Sequence, residues 1–307
     1  MQVFYGFKKL RKFKKPVVAL GVFDGVHKGH AVILSSAVKQ AKKIKGTSVT
    51  VTFWPHPHKE ESLISLGHRL KLIAELGIDA CIVIRFNKKF ARISAGDFIK
   101  NILYKKIGAR FIFVGTNFNF GSGGRGDAKF LKANAKKYNF KLKVFPVLKI
   151  NQQVISSTLI RQLIKSGKLE QAEKMLRQPV SILGTVIKGN SLARKLGFPT
   201  ANIDPHHEVM PPSGVYIVKV VLGKKIFYGV CSIGTKPTFY TKKLQHIEVH
   251  LFNFRKDIYG KYLEIYFIEK IRNQKKFSSH VNLTKEIKKD IIYAKHALSL
   301  PQKHHNS

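Results

Sequence analysis

What most constrains this chain is a change of pattern at Pro179. From Val17 to about Lys165, short β-branched or aromatic runs ("VVALGVF", "SVTVTFW", "ACIVIRF", "RFIFVG", "KLKVFPVL") alternate with longer segments of helical period. Those segments are "AVILSSAVKQAKK", "HRLKLIAELG", "SAGDFIKNILYKKIG" and "GDAKFLKANAKKY". Ser94 suits a helix cap, and Gly77 and Gly108 suit helix stops. Strict alternation of this kind predicts α/β architecture with a parallel sheet, in which ligands bind beyond the carboxyl ends of the strands. Two short helical stretches, "STLIRQLIKSG" and "LEQAEKMLRQ", end the pattern. Beyond Pro179 almost every apolar run reads as a strand punctuated by Gly, Pro or Asn: "VSILGTVIKG", "GVYIVKVVLG", "KIFYGVCSIG", "QHIEVHLFNF" and "KYLEIYFIEKI". That spacing predicts a small antiparallel sandwich or barrel. A last helix is expected from about Leu283, with Ile287, Ile291, Ile292 and Leu298 at helical spacing. The domains are therefore placed at 1–178 and 179–307.

No apolar run reaches the roughly 18 residues a membrane helix needs, and the basic N-terminus is followed by no secretory h-region. Cys81 and Cys231 are the only cysteines, too few for a disulfide framework. A cytoplasmic protein is expected. The formal net charge of +39 raises the question of a nucleic-acid partner. Its lysines, however, run from Lys8 to Lys303 without a concentrated basic domain, so we expect no specific nucleic-acid partner. An excess of positive charge still attracts anionic small molecules.

Two stretches of the first half carry chemistry. In "GVFDGVHKGH" (residues 21–30) a strand runs into a glycine turn and then a helix start. Helix-start N–H groups suit phosphate, Gly25 and Gly29 admit a close ligand, and His27 and His30 offer hydrogen bonds to phosphoryl oxygens. The residues alone equally suit ordinary turn histidines, or half of a zinc site. In "ISSTLIRQLI" (residues 155–164), Ser156 or Ser157 suits a helix cap, and Thr158 and Arg161 are spaced to share a face of the first turn. They form either a second phosphate-binding helix start or a capped surface helix.

The second half holds "GTVIKGNSLARKLGFPTANI" (residues 184–203), where Thr200 and Asn202 face one side if the segment is extended. Their hydroxyl and amide oxygens are hard ligands of the kind Mg²⁺ takes. In "HIEVHLFNF" (residues 246–254), Glu248 and His250 share a face. With only 17 Asp and Glu in the chain, a carboxylate in a strand is a candidate general base, or else an edge-strand surface residue.

"HKGH" resembles the HxGH element and "ISSTLIR" the ISSTxxR element of nucleotidyltransferases that pass AMP from ATP to a phosphate acceptor. With "TFWPHP" and "VGTNFNFGSGGRGD" between them, the first half resembles the N-terminal module of the bacterial bifunctional riboflavin kinase/FAD synthetase family. From residue 180 to about 298, "GTVIKGNSLARKLGFPTANI", "GVY", "IGTKPTF", "IEVHLFNF" and "DIYGKYLEIYFIEKIR" resemble its riboflavin kinase module. The resemblance implies a Rossmann-like nucleotidyltransferase domain followed by a small β-barrel with a terminal helix. It implies that ATP, riboflavin and FMN are the substrates and Mg²⁺ the cofactor. His27, His30 and Gly29 would then bind ATP phosphates from one side, with Ser157, Thr158 and Arg161 opposite. Pro55, His56, Pro57 and Asn117 would shape the nucleotide and flavin pockets. In the kinase module Thr200 and Asn202 would hold Mg²⁺ and ATP phosphate, and Glu248 would be the base for the riboflavin 5′-hydroxyl. The chain departs from the family's usual residues at Asn117, Asn119, Ala193, Ser232 and Asn253.

Overall fold

The structure, a computed structural model, describes residues 1–57, 61–189, 196–236 and 244–299. The chain divides into two compact units, Met1–Arg161 with Lys174–Arg177, and Gln162–Glu173 with Gln178–Ser307.

The first unit contains β1 (Gln2–Tyr5), β2 (Val17–Leu20), α1 (Lys28–Lys43), β3 (Ser48–Trp54), α2 (Leu66–Glu75), β4 (Ala80–Arg85) and α3 (Lys88–Ala91). It continues with α4 (Ala95–Asp97), which runs on as a π-wound stretch Phe98–Ile107, then β5 (Phe111–Gly115), α5 (Ala128–Asn134) and β6 (Lys141–Phe145). A small hairpin, β7 (Lys149–Ile150) and β8 (Gln153–Val154), precedes α6 (Ser157–Lys165). Six strands form one parallel sheet in the order β1-β4-β3-β2-β5-β6, as the alternation predicted. Strand residues alternate between two buried faces. Val18, Val49, Ile82 and Ile112 meet Phe98, Ile99, Ile102 and Leu103 on one, while α1 packs along β2, β3 and β5. Burial on both sides is why these strands read as continuous apolar runs.

The caps follow the sequence. Ser94 Oγ accepts from Asp97 N at 3.0 Å, and Gly77 and Gly108 end helices at φ 82° and 69°. Strand β1 was not expected, because "MQVFY" sits in a lysine-rich terminus and its pairing with β4 is visible only in three dimensions. From β2 the chain steps through β3 and β4 on one side, whereas β5 and β6 lie on the other. The connection reverses at β2, so loops diverge there and leave a crevice at the carboxyl ends.

The second unit includes α7 (Leu169–Met175) and a closed antiparallel barrel. Its strands are β9 (Ser181–Ile187), β10 (Ala201–Asp204), β11 (Gly214–Leu222), β12 (Lys225–Lys236), β13 (Leu244–Leu251) and β14 (Tyr262–Arg272). Between sandwich and barrel, the structure takes the barrel: β10 bridges β9 and β13 and closes the ring. Helix α8 (His280–Ser299) packs its Ile291, Ala294, Ala297 and Leu298 on Val215, Ile217 and Val230 of the barrel's wall. Ile292, one residue out of phase, is 68% exposed and belongs to the solvent side. Arg272 fastens the helix through two-pronged bonds to Asp290, Nε to Oδ1 at 2.9 Å and an Nη to Oδ2 at 2.7 Å.

Two candidate active sites

The crevice of the first unit opens into a cavity of about 800 Å³, within the usual range for small-molecule sites. Its wall takes residues from the ends of β2, β3, β5 and β6, the position the switch at β2 dictates. One end is apolar: Phe53, Phe86, Phe90, Phe98, Phe118 and Phe120 line it, with ring centroids such as Phe90–Phe98 at 6.3 Å and Phe98–Phe120 at 5.2 Å. The other end is polar, with His27, Gly29, His30, Ser156 and Ser157.

The turn before α1 is held in a costly conformation. Phe23, Gly25 and Val26 have φ of 53°, 78° and 39°, and a β-branched residue such as Val26 rarely enters that region. At Gly25 a side chain would also collide with Leu63. The turn delivers His27 to the N-cap of α1, where its Nδ1 accepts from His30 N at 3.3 Å. Nδ1 is thus the unprotonated nitrogen, and the neutral ring keeps Nε2–H as a donor. The two imidazoles stack with centroids 3.6 Å apart. His30 Nδ1 is sealed from solvent and has no hydrogen-bond partner among the described residues.

Burial drives the His27 pKa down to about 4. Burial, then His27, then Arg69 hold His30 well below the ordinary histidine value. Both rings are neutral at physiological pH, so they act as hydrogen-bond donors without placing a cation there. The shift fixes a stability window. The unfolded chain takes up a proton at His27 near pH 6.5, whereas the folded chain resists until about pH 4. The stabilisation is therefore complete above pH 6.5 and is lost as the pH falls from there toward 4. The only tryptophan, Trp54, lies in the first unit's β3. The urea midpoint read from its fluorescence is expected to drop between pH 6.5 and 4; a midpoint rising over that interval contradicts the assignment.

Other expected residues are distributed unevenly. Ser156, not Ser157, caps α6, accepting from Leu159 N at 3.2 Å. Ser157 Oγ instead donates to the Asp24 carbonyl at 2.8 Å. Thr158 is exposed and outside the cavity wall. Arg161 turns inward, with an Nη 3.4 Å from Asp24 Oδ2, so Thr158 and Arg161 do not share one exposed face. Asn117 and Pro57 line the cavity, whereas Pro55 and His56 lie outside its lining. Asp24 and Arg69, which the sequence reading passed over, are both buried here and bonded to each other at 3.3 Å.

In the second unit the barrel register brings distant residues together. Asn202 on β10 and Ser232 on β12 both stand directly opposite Glu248 on β13, so the three share one face at neighbouring positions. Glu248 and Thr200 line a cavity of about 290 Å³ between barrel and α8, walled by Phe198, Val230, Leu283 and Ile287. Thr200 also lines a second cavity of about 430 Å³ with Asn202, Arg255, Lys256 and Tyr259. One threonine thus belongs to both spaces. The Glu248 side chain is 37% exposed, with His246 Nε2 at 3.4 Å from its Oε1. His250 Nδ1 donates to the Pro199 carbonyl at 2.9 Å and steadies the turn that carries Thr200.

Asn202 is buried, and its Oδ1 has no hydrogen-bond partner among the described residues. A buried amide oxygen left in this way costs free energy unless a ligand takes it. Gly189 lies against that amide, so closely that a side chain there would overlap it. Gly189→Ala is expected to displace Asn202 and to lower, about tenfold or more, the kinase activity that the resemblance implies for this unit. The companion activity of the first unit, assayed in the same preparation, should be unchanged. Ala193 and Arg194 lie outside the described residues. Ser232 Oγ bonds Gln274 Oε1 at 3.4 Å, and Asn253 holds a left-handed φ of 54° that asparagine tolerates. Both cysteines are free and buried, which raises their thiol pKa values, Cys81 to about 12.

The chain matches two family models, FAD synthetase over residues 9–159 and riboflavin kinase over residues 176–298. Among curated proteins it is 39% identical to a bifunctional riboflavin kinase/FMN adenylyltransferase of Buchnera aphidicola subsp. Schizaphis graminum, over 98% of this chain and 100% of that one. It is 35% identical to the protein of the same description from Escherichia coli K12, over 92% and 93% of the two chains. The Bacillus subtilis counterpart is 36% identical over 90% of each. Among solved structures, one described as a macrolide-efflux protein from Streptococcus pneumoniae superimposes with TM-score 0.80 at 30% identity, covering 94% of this chain and 97% of that one. Among the described residues no helix is long and apolar enough to cross a membrane.

Proposed function

The chain belongs to the family of bifunctional riboflavin kinases/FMN adenylyltransferases, and from that premise we propose how its residues divide the work. It phosphorylates riboflavin to FMN with ATP, and it adenylylates FMN to FAD with release of pyrophosphate. We place the domain boundary at 178/179, with the adenylyltransferase before it and the kinase after.

In adenylyl transfer, the phenylalanine end of the larger cavity takes the flavin rings and the polar end takes the ATP phosphates. An FMN phosphate oxygen forms the new bond to the α-phosphorus while the bond from that phosphorus to the bridging oxygen breaks, and pyrophosphate leaves. No enzyme nucleophile is needed. The α1 start at Gly29, with the neutral His27 and His30, donates to the charge gathering on the phosphoryl oxygens. Ser157 serves from the α6 start on the cavity wall, Arg161 from the position that Asp24 gives it, and Asn117 and Pro57 shape the pocket. The observation that carries this reading is the stacked histidine pair that lines one cavity together with Ser156 and Ser157 at the start of α6.

In the kinase, the slot beside α8 takes riboflavin and the cavity of Arg255 and Lys256 takes the nucleotide. Thr200, common to both, marks where hydroxyl and γ-phosphate meet. Glu248 accepts the 5′-hydroxyl proton as the oxygen bonds to the γ-phosphorus, and the bond to the leaving ADP oxygen breaks. Thr200 and Asn202 would hold Mg²⁺, which the unpartnered Asn202 oxygen fits. When bound, the ion supplies charge neutralisation on the phosphates. We assign the protein to the cytoplasm, where its two free cysteines stay reduced, and to small-molecule substrates without a specific nucleic-acid partner.

The purified chain incubated with riboflavin, ATP and Mg²⁺, with flavins separated chromatographically, is expected to yield FMN and then FAD. FMN without FAD would remove the first assignment, and neither product would remove both.

A further inference from the structure

We propose that Asp24 is the positioning residue of adenylyl transfer, the fixed point that aligns the α1 edge of the phosphate site with the α6 edge. Asp24 is 1% exposed and sits in the turn before α1, one residue after the left-handed Phe23 and three before His27. Its carboxylate accepts from four groups on three other segments. Leu63 N reaches Oδ2 at 2.7 Å and Ile64 N reaches Oδ1 at 3.3 Å. Arg69 of α2 donates to Oδ1 at 3.3 Å and Arg161 of α6 to Oδ2 at 3.4 Å. Its carbonyl meanwhile accepts the Ser157 hydroxyl at 2.8 Å.

Every element of the proposed phosphate site thus refers its position to this one residue. The His27 turn is built on it, and α6 is tied to it twice, by Ser157 from the backbone side and Arg161 from the side chain. Arg69 and Arg161 both set positive charge against the Asp24 carboxylate, in a setting where water screens little, and so hold it in place. Neither arginine is on the cavity wall, which the start of α6 reaches through Ser156 and Ser157; Arg69 is 0% exposed and lies over the Trp54 ring at 5.5 Å. It is structural ballast, whereas Arg161 and Ser157 are what Asp24 positions. The inference rests on the assignment of α1 and α6 to ATP phosphates.

The test is made in the full chain with Asp24→Asn and with the double variant Asp24→Asn/Arg69→Met, which removes the buried Arg69 charge along with its partner. Four quantities are read: kcat and KM for FMN adenylylation, the riboflavin kinase rate, and the thermal transition of Trp54 fluorescence. The expected result is a double variant with a cooperative Trp54 transition, an unchanged kinase rate and an unchanged KM for FMN. Its adenylylation kcat falls about 100-fold, the order that misplacing a catalytic group by an ångström costs. Three outcomes overturn the proposal. One is recovery of kcat to within about threefold of the parent, which makes Asp24 only the counter-ion of Arg69. Another is a loss confined to KM for FMN. The third is a double variant without a Trp54 transition, which makes the role one of folding. Failure of the underlying site assignment shows separately, as His30→Ala retaining full adenylylation in the otherwise unaltered chain.

Discussion

Replacing Glu248 by alanine is expected to stop FMN formation in a chain that still makes FAD from added FMN. β13 sets Glu248 directly between Asn202 and Ser232, on the face that opens to the slot beside α8. Loss of a positioned general base lowers rate by roughly 10² to 10⁴, and at a carboxylate that is 37% exposed the truncation leaves no buried charge behind. The barrel should therefore remain folded, and the effect should fall on kcat for riboflavin phosphorylation. Glu248→Gln is the sharper comparison, since it keeps shape and hydrogen bonding while removing the proton acceptor. A Gln variant with parental kinase activity would show that the carboxylate is not the base.

His30→Ala is expected to have the mirror effect, lowering FMN adenylylation by roughly 10² to 10³, the usual cost of removing one donor to a charge-gathering oxygen. FMN formation in the same preparation should be untouched. His30 stacks on His27 and meets Phe23 edge-on at 5.3 Å, so some loss of stability accompanies the substitution; the Trp54 transition separates that loss from the catalytic one. If Glu248→Ala and His30→Ala each abolish both reactions while folded, two independent sites are the wrong description of this chain.

Much of this was legible in the sequence, and what was missed has a physical pattern. The parallel sheet announced itself because strands buried on two faces must be apolar throughout, and "VVAL" and "ACIVI" could be little else. The barrel was legible as strands but not as a closed ring, because closure depends on β10, a four-residue strand whose partners lie far away in the chain. His27 and Glu248 were found because their residue types are chemically conspicuous. Arg69 was not: in "HRLKLIAELG" it occupies what reads as the polar stripe of an amphipathic helix, yet it is 0% exposed. Asp24, remote in sequence, together with the Phe53 carbonyl 3.2 Å from an Arg69 Nη, makes that burial tolerable. Asp24 had a signal that went unused. In a chain with so few acids, a carboxylate lodged in a glycine turn invites the same question that Glu248 did. Thr158 and Arg161 illustrate the opposite failure, since helical spacing told which side chains were neighbours but not that a buried acid would draw one of them inward.

Closure of the barrel has a meaning for descent as well as for chemistry. An open sheet can lose or gain a strand at its margin, so a site built near an edge can be passed between proteins as a fragment. Here Thr200, Asn202 and Glu248 owe their mutual placement to a ring in which every strand is braced by two others. The kinase site can therefore be inherited only whole. Substitutions in the loops and in α8 are the ones that can alter what the enzyme accepts without disturbing how the ring holds its phosphate-transfer residues.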